Sequence, residues 1–385
     1  MSVTHAAGFR AAGVAAGIKP DGRDVAVVAA DGPSIAAGVF TRNAAAAAPV
    51  VVSRRHLASG ADTRAVIINS GCANAATGIR GMENAETMAS VTAQLLGVAE
   101  AEVLVCSTGT IGPHLPMDEL TSGIADAVRS TSDDAGSAHD AADAIRTTDS
   151  VTKEATTDRD GWSIGGMAKG AGMVRPDMAT MLALLTTDAD VAADVLQRSL
   201  IAAVDASFNA LNIDGCESTN DSVIVLASGA SGVKPDEEEF AAAVTQVCRD
   251  LTLQMARDAE GASRVVTIEV DGAESDLAAR QLGRRVADSA LVRSSFYGGD
   301  VNWGRILGAL GTDRGLDVQQ VAIGYQGTTV FHAGTPTDYD EDALMAACEH
   351  GDISVSVGVG SGPGTATVVT TDLTPEYVVF NGERS

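Results

Sequence analysis

Short apolar runs that end in turn residues recur along the chain: Ala65 to Ile68 before Asn69-Ser70-Gly71, Val103 to Val105 before Ser107-Thr108-Gly109, and Val223 to Leu226 before Ala227-Ser228-Gly229. Such runs predict buried strands that deliver their ends to loops. Between them, Met82, Ala85, Met88, Ala89, Leu95 and Leu96, and then Val195, Leu196, Leu200, Ile201 and Val204, follow helical spacing. The pattern predicts a mixed α and β protein. The Ser-, Asp- and Ala-rich stretch from Arg129 to Asp143 reads as a surface helix-and-loop crossing with weak packing demands. Beyond Leu316, extended segments at Val321 to Tyr325, Ile353 to Val359 and Ala366 to Val369, separated by Gly, Pro and Asp, predict a smaller C-terminal lobe over residues 316–385. No repeat of fixed period stands out.

A length of 385 residues suits two or three cores, and with 45% hydrophobic but only 3% aromatic residues those cores are filled by Ala, Val, Leu and Ile. The formal charge of -25 argues against nucleic acid or anionic lipid as a partner, since both are bound through clustered Lys and Arg. The first residues carry no basic segment followed by an apolar one, and no apolar run is long enough to span a bilayer, so a cytoplasmic location without membrane attachment is expected. Cys72, Cys106, Cys216, Cys248 and Cys348 lie far apart and read mostly as buried thiols. The six histidines are scattered without ligand spacing, so no metal site is expected.

The common catalytic signatures fail. The glycines Gly358, Gly360, Gly362 and Gly364 lead into strand-like Ala366-Thr367-Val368-Val369, whereas a dinucleotide site needs a helix N-terminus there. What remains unusual is Gly165 to Ala189, where a glycine-rich turn delivers the chain into Met178-Ala179-Thr180 and an apolar run follows from Met181 to Leu185. A threonine hydroxyl needs a base within hydrogen-bond reach, and a free α-amine on the same residue supplies one with a pKa of about 7.7 to 8.0. Such an amine requires scission of the Ala179-Thr180 bond. Spacing alone also allows Thr180 to be an ordinary residue at a strand entrance. Lys169, one of four lysines, lies in the glycine turn, where a solvated loop charge is the plain alternative. The turn Ser107 to Gly112 at a strand end can aim N–H groups and a hydroxyl at one point, as an oxyanion hole requires, or can simply turn the chain.

Together, Val39-Phe40-Thr41-Arg42-Asn43, Asn69-Ser70-Gly71 with Ala73-Asn74-Ala75, Cys106 to Gly112, Thr147-Thr148-Asp149, Lys169 to Leu182, Ser218-Thr219-Asn220-Asp221, Glu260-Gly261-Ala262 and Asn302-Trp303-Gly304-Arg305 resemble the ornithine acetyltransferase family, also called glutamate N-acetyltransferase or ArgJ. The resemblance runs over essentially the whole chain. It implies a layered α/β/β/α-type sandwich of the ArgJ/DmpA-like fold, cut by itself into an α chain, residues 1–179, and a β chain, residues 180–385, that pair as an α2β2 heterotetramer. Thr180 would be the nucleophile, Thr108 and Gly109 the oxyanion hole, and Thr147, Lys169, Thr180, Glu260, Asn381 and Ser385 the substrate contacts. The implied reaction carries acetyl from N-acetylornithine to glutamate through acetyl-Thr180, with neither metal nor organic cofactor and with acetyl-CoA as a second donor in some members. Two rivals are a self-processing N-terminal-nucleophile aminopeptidase, in which water resolves the acyl-enzyme, and an uncut non-catalytic scaffold. The chain departs from the family pattern at Cys72, where Asn is common, at Cys216-Glu217, and in a tail ending at Ser385 one residue early.

Overall fold

Strict alternation along the second strand shows how the sequence builds the first of two structural units. In the computed structural model, which describes residues 2–175 and 181–383, Val25, Val27 and Ala29 face one apolar core while Ala26, Val28 and Ala30 face another. Side chains two apart share a face of a strand, so an unbroken apolar run serves two layers at once.

This first unit, residues 1–209 and 216–255, is organised on β1 (Phe9–Val14), β2 (Val25–Phe40), β3 (Thr63–Asn69), β4 (Val103–Ser107), β5 (Lys153–Arg159), β6 (Trp162–Lys169) and β7 (Leu182–Thr187). After lending the short β8 (Leu211–Asn212) to the second unit, the chain returns to it as β9 (Ser222–Ala227). The sheet order is β4-β3-β2-β9-β7-β6-β5, with β1 also on β2. The 16-residue β2 joins the halves: Val25 to Ala29 pair with β3, the register shifts before Ser34, and Ile35 to Phe40 pair with β9. Gly32-Pro33 falls in that interruption, where the missing proline N–H breaks no ladder bond.

Helices α1 (Ala48–Ala58), α2 (Gly78–Leu96) and α3 (Met117–Arg129) cover the Val25 face of the sheet. Helix α4 (Ala135–Ala144) packs on the opposite one. This corrects the expectation of weak packing between Arg129 and Asp143: Ala138, Ala141, Ala142 and Ala144 are fully buried. A Cβ on Gly13 of β1 would lie only 1.9 Å from the Asp140 carbonyl oxygen. Small side chains that read as low packing demand are instead what lets helix and strand approach this closely. Helices α5 (Ala193–Asp205) and α6 (Glu237–Arg257) complete the unit, α6 running on into the second one. Gly166 of β6 admits Val247 and Leu251 of α6, which a Cβ there would meet at 3.0 and 3.2 Å.

The second unit, residues 210–215 and 256–385, holds β10 (Val265–Ala273), β11 (Ala322–Tyr325), β12 (Thr328–His332), β13 (Thr335–Pro336), β14 (Ile353–Gly358) and β15 (Gly364–Thr371), in the order β13-β12-β11-β14-β10-β15-β8. Its helices are α7 (Asp276–Asp288), α8 (Ala290–Tyr297), α9 (Trp303–Leu310), α10 (Glu341–Glu349) and α11 (Pro375–Glu383). The strands beyond Leu316 therefore form no lobe of their own. β14 and β15 flank β10, whose buried Val266, Ile268 and Val270 share their core. The Asn302-Trp303-Gly304-Arg305 motif builds this unit: Asn302 caps α9, and Trp303 stacks on Phe331 with ring centroids 5.0 Å apart. The mixed α and β expectation holds, with both sheets mixed in strand direction.

Candidate active site

Parallel β3 and β4 end side by side, Asn69 in register with Ser107, so the loops that follow them leave the sheet together. They are laced by backbone hydrogen bonds from Thr108 N–H to Asn69 O (3.0 Å), Thr110 N–H to Gly71 O (3.3 Å) and Ala73 N–H to Thr110 O (3.0 Å). Gly109 sits at φ 130, where a Cβ would fall 2.3 Å from the Gly71 carbonyl carbon. Glycine is required by both the conformation and the approach. Cys72 is built into this lacing, 4% exposed, with its thiol donating to Pro113 O at 3.3 Å. Burial raises its pKa, so it stays a protonated packing group, and the departure from the family pattern leaves the loop closed.

Three further strand ends meet nearby: Leu182 of β7 is in register with Lys169 of β6 on one side and Ser222 of β9 on the other. The Lys169 side chain is buried and places Nζ 2.7 Å from Thr147 Oγ1 and 3.3 Å from Thr108 Oγ1. Thr147 comes from the turn after α4, so one ammonium gathers hydroxyls from two separate loops. Behind it, the carboxylate of Asp149 accepts from Lys153 Nζ at 2.7 Å, Gly170 N–H at 2.7 Å and Thr147 N–H at 3.1 Å, and lies 3.9 Å from Lys169 Nζ. Burial pushes the Asp149 carboxyl upward, but the Lys169 and Lys153 ammonium groups and the Gly170 N–H outweigh it and hold the group well below the usual carboxylate range.

On the β9 side, Asp221 Oδ1 accepts from Met181 N–H at 2.7 Å, and Met181 O accepts from Ser222 N–H at 3.1 Å. Met181, the residue after Thr180, is thus fixed at both backbone groups. Burial drives the Asp221 carboxyl well above its ordinary range, against the Met181 N–H and the Lys169 charge. Its Oδ2 has no hydrogen-bond partner among the described residues. Asn220 ties the two groups of loops together, its Nδ2 donating to Ala73 O at 2.6 Å and Ser107 O at 2.9 Å.

Of the residues singled out from sequence, Thr108, Gly109, Thr147 and Lys169 come together in the first unit. Ala179, Thr180 and Ser385 lie outside the described residues. Glu260 and Asn381 belong to the second unit, where the Glu260-Gly261 turn packs on the start of α11, the helix that carries Asn381. A Cβ on Gly261 would meet Tyr377 N at 2.3 Å. Sequence reasoning gave no role to Asp149, Asn220 or Asp221, although each stood in a quoted motif. The signal was a polar residue next to a predicted strand end, where burial makes partners obligatory. Among the described residues, no three His, Cys, Asp or Glu side chains gather as a metal site, and no helix is long and apolar enough to cross a membrane.

The family model described as the ArgJ family matches residues 10–385. The chain is 48% identical to the arginine biosynthesis bifunctional protein ArgJ of Thermobifida fusca and 45% identical to the protein of that name from Streptomyces avermitilis, with 100% of both chains covered in each case. Among solved structures it is similar to ornithine acetyltransferase complexed with ornithine from Mycobacterium tuberculosis, at 48% identity and a TM-score of 0.44, covering 46% of this chain and 94% of that one. The l-aminopeptidase d-ala-esterase/amidase of Ochrobactrum anthropi matches at 12% identity and a TM-score of 0.44, covering 67% of this chain and 86% of that one.

Proposed function

The chain belongs to the ArgJ family, and on that premise we propose that it is an acetyltransferase of arginine biosynthesis that moves acetyl from N2-acetylornithine to glutamate through acetyl-Thr180. The observation that carries this reading is the buried Lys169 ammonium between the Thr108 and Thr147 hydroxyls, at the strand ends that adjoin Met181. In the first step Thr180 Oγ1 attacks the carbonyl carbon of Ala179, the peptide nitrogen takes up a proton, and water then hydrolyses the resulting ester. This leaves an Ala179 carboxylate and a free Thr180 amine. That amine is the base that removes the hydroxyl proton when Thr180 attacks the acetyl carbonyl of the donor. The negative oxygen of the tetrahedral intermediate is received by the Thr108 hydroxyl and the Gly109 N–H, and collapse expels ornithine with the proton. Glutamate's amine reverses the sequence and leaves as N-acetylglutamate.

Lys169 and Glu260 suit a substrate with opposite charges at its ends, with Thr147, Asn381 and Ser385 as further contacts. The chemistry calls on no metal or organic cofactor, and acetyl-CoA is a candidate second donor. The two fragments, residues 1–179 and 180–385, would stay together as an α2β2 heterotetramer in the cytoplasm.

Mass analysis of the purified protein tests the reading first: two fragments are expected, the second beginning Thr-Met-Leu-Ala-Leu. Thr180→Ala should remain one uncut, inactive chain, while Thr108→Ala should slow both scission and transfer. Acetyl release from N-acetylornithine should depend on glutamate. A rate indifferent to glutamate would mark a hydrolase, and full activity from an uncut chain would defeat the mechanism.

A further inference from the structure

An ammonium group has hydrogen-bond donors and no acceptor. The Thr108 and Thr147 oxygens, 3.3 and 2.7 Å from Lys169 Nζ, must therefore accept from it, and each hydroxyl keeps its own proton for a different acceptor. For Thr108 that proton is the one an oxyanion needs. A hydroxyl otherwise rotates to suit its surroundings, so a donor on its oxygen sets its direction before any substrate arrives.

A lysine side chain is a long flexible stem, and holding it in one geometry costs rotamer freedom. Its surroundings must supply that order. Asp149 is placed to do so from both ends: it takes the N–H of Gly170, the residue after Lys169, and the N–H of Thr147, whose hydroxyl Lys169 reaches. Its charge adds to this at 3.9 Å from Nζ, while Lys153 braces it from β5 at 2.7 Å. The Asp149 side chain is 0% exposed, so it meets the reacting groups only through its neighbours.

We propose that Asp149 is a positioning residue which, by fixing Lys169 and the Thr147 turn, orients the Thr108 hydroxyl as the donor to the oxyanion. The inference rests on the acetyl-transfer reading above and adds a residue to it. Asp149 remains ionised through the working range because the two ammonium groups outweigh its burial.

A double-mutant cycle in the full chain tests it. Asp149→Asn should lower kcat for acetyl transfer by about 10- to 100-fold, part of the roughly 100- to 1,000-fold lost with a whole oxyanion donor, with any rise in KM for N-acetylornithine, which Lys169 and Thr147 also contact in this reading, smaller than the fall in kcat. In a Thr108→Val background, where no hydroxyl remains to be oriented, the same substitution should cost less than about threefold, because effects routed through one group are not additive. Equal losses in both backgrounds, or a raised KM with unchanged kcat, would overturn the proposal. Should Asp149→Asn fail to fold, Lys169→Met in the same cycle reads the link from its other end in kcat alone, since Lys169 is also a substrate contact in this reading, and independent kcat losses there count equally against it. A wild-type chain that moves no acetyl to glutamate removes the functional reading and this inference with it. An active wild type with independent losses removes the inference alone.

Discussion

Two residues of the site carry opposite electrostatic histories. Asp149 is held ionised by its ammonium neighbours, whereas burial drives the pKa of the Asp221 carboxyl beside Met181 upward. A carboxyl whose pKa is raised by folding binds more protons folded than unfolded, so its contribution is fully present below the unfolded value of about 3.9 and is lost as pH climbs through the folded value. Asp221→Asn removes that penalty and keeps an oxygen for the Met181 N–H. The melting temperature of Asp221→Asn minus that of the parent should therefore grow as pH is raised above about 4; a difference that shrinks would show that Asp221 is held as a carboxylate. Gly109 shows the steric side of the same site. Gly109→Ala must leave φ 130 or push the Gly71 backbone away, and loss of transfer activity with both loops displaced is expected. Kinetics and a melting curve on the purified variant check it, and undiminished activity would remove the Gly109 N–H from the oxyanion role.

At the scale of elements, strand ends do the positioning. β3 and β4 run parallel and bring two loops to one edge, β6 ends beside the start of β7, and the long β2 holds these halves in one sheet. The start of the turn that carries Thr147 is held at the end of α4, where the Ser70 hydroxyl, from the loop after β3, donates to Ala144 O at 2.6 Å, while α4 itself is seated on β1. Gly13→Ala would force a Cβ against the Asp140 carbonyl, a backbone atom that cannot swing aside. Overpacking of this kind costs about 1–3 kcal/mol. Thermal or urea unfolding should show that loss, and an unchanged midpoint would mean that α4 is less tightly seated than its burial indicates.

For the whole molecule, 51 acidic residues against 26 basic ones leave a self-repelling surface whose charge of -25 opposes compactness. Added salt shortens the Debye length from about 30 Å at 0.01 M to about 3 Å at 1 M, so the melting temperature should rise with monovalent salt across that range. A fall would mean that exposed ion pairs such as Arg198 with Asp194 and Glu237 contribute more than the repulsion takes away. The same charge balance makes the ammonium pair behind the site conspicuous: two of the chain's four lysines, Lys153 and Lys169, are buried around Asp149.

The sequence by itself determined the class of fold, the strands Ala65 to Ile68, Val103 to Val105 and Val223 to Leu226, and, through ordered motifs, the family. These are local properties: apolar runs bounded by turn residues remain readable one at a time. It also marked Thr108, Gly109, Thr147 and Lys169, but not why they belong together. Only the tertiary structure decided that Lys169 spans two hydroxyls, that Asp149 stands behind it and that Asp221 holds the residue after Thr180, because residues from five chain segments converge there by strand pairing. The Ala-rich helix after Arg129 was misread for the same reason. Small side chains look undemanding in sequence, and their value appears only when a neighbouring backbone comes close enough to need them.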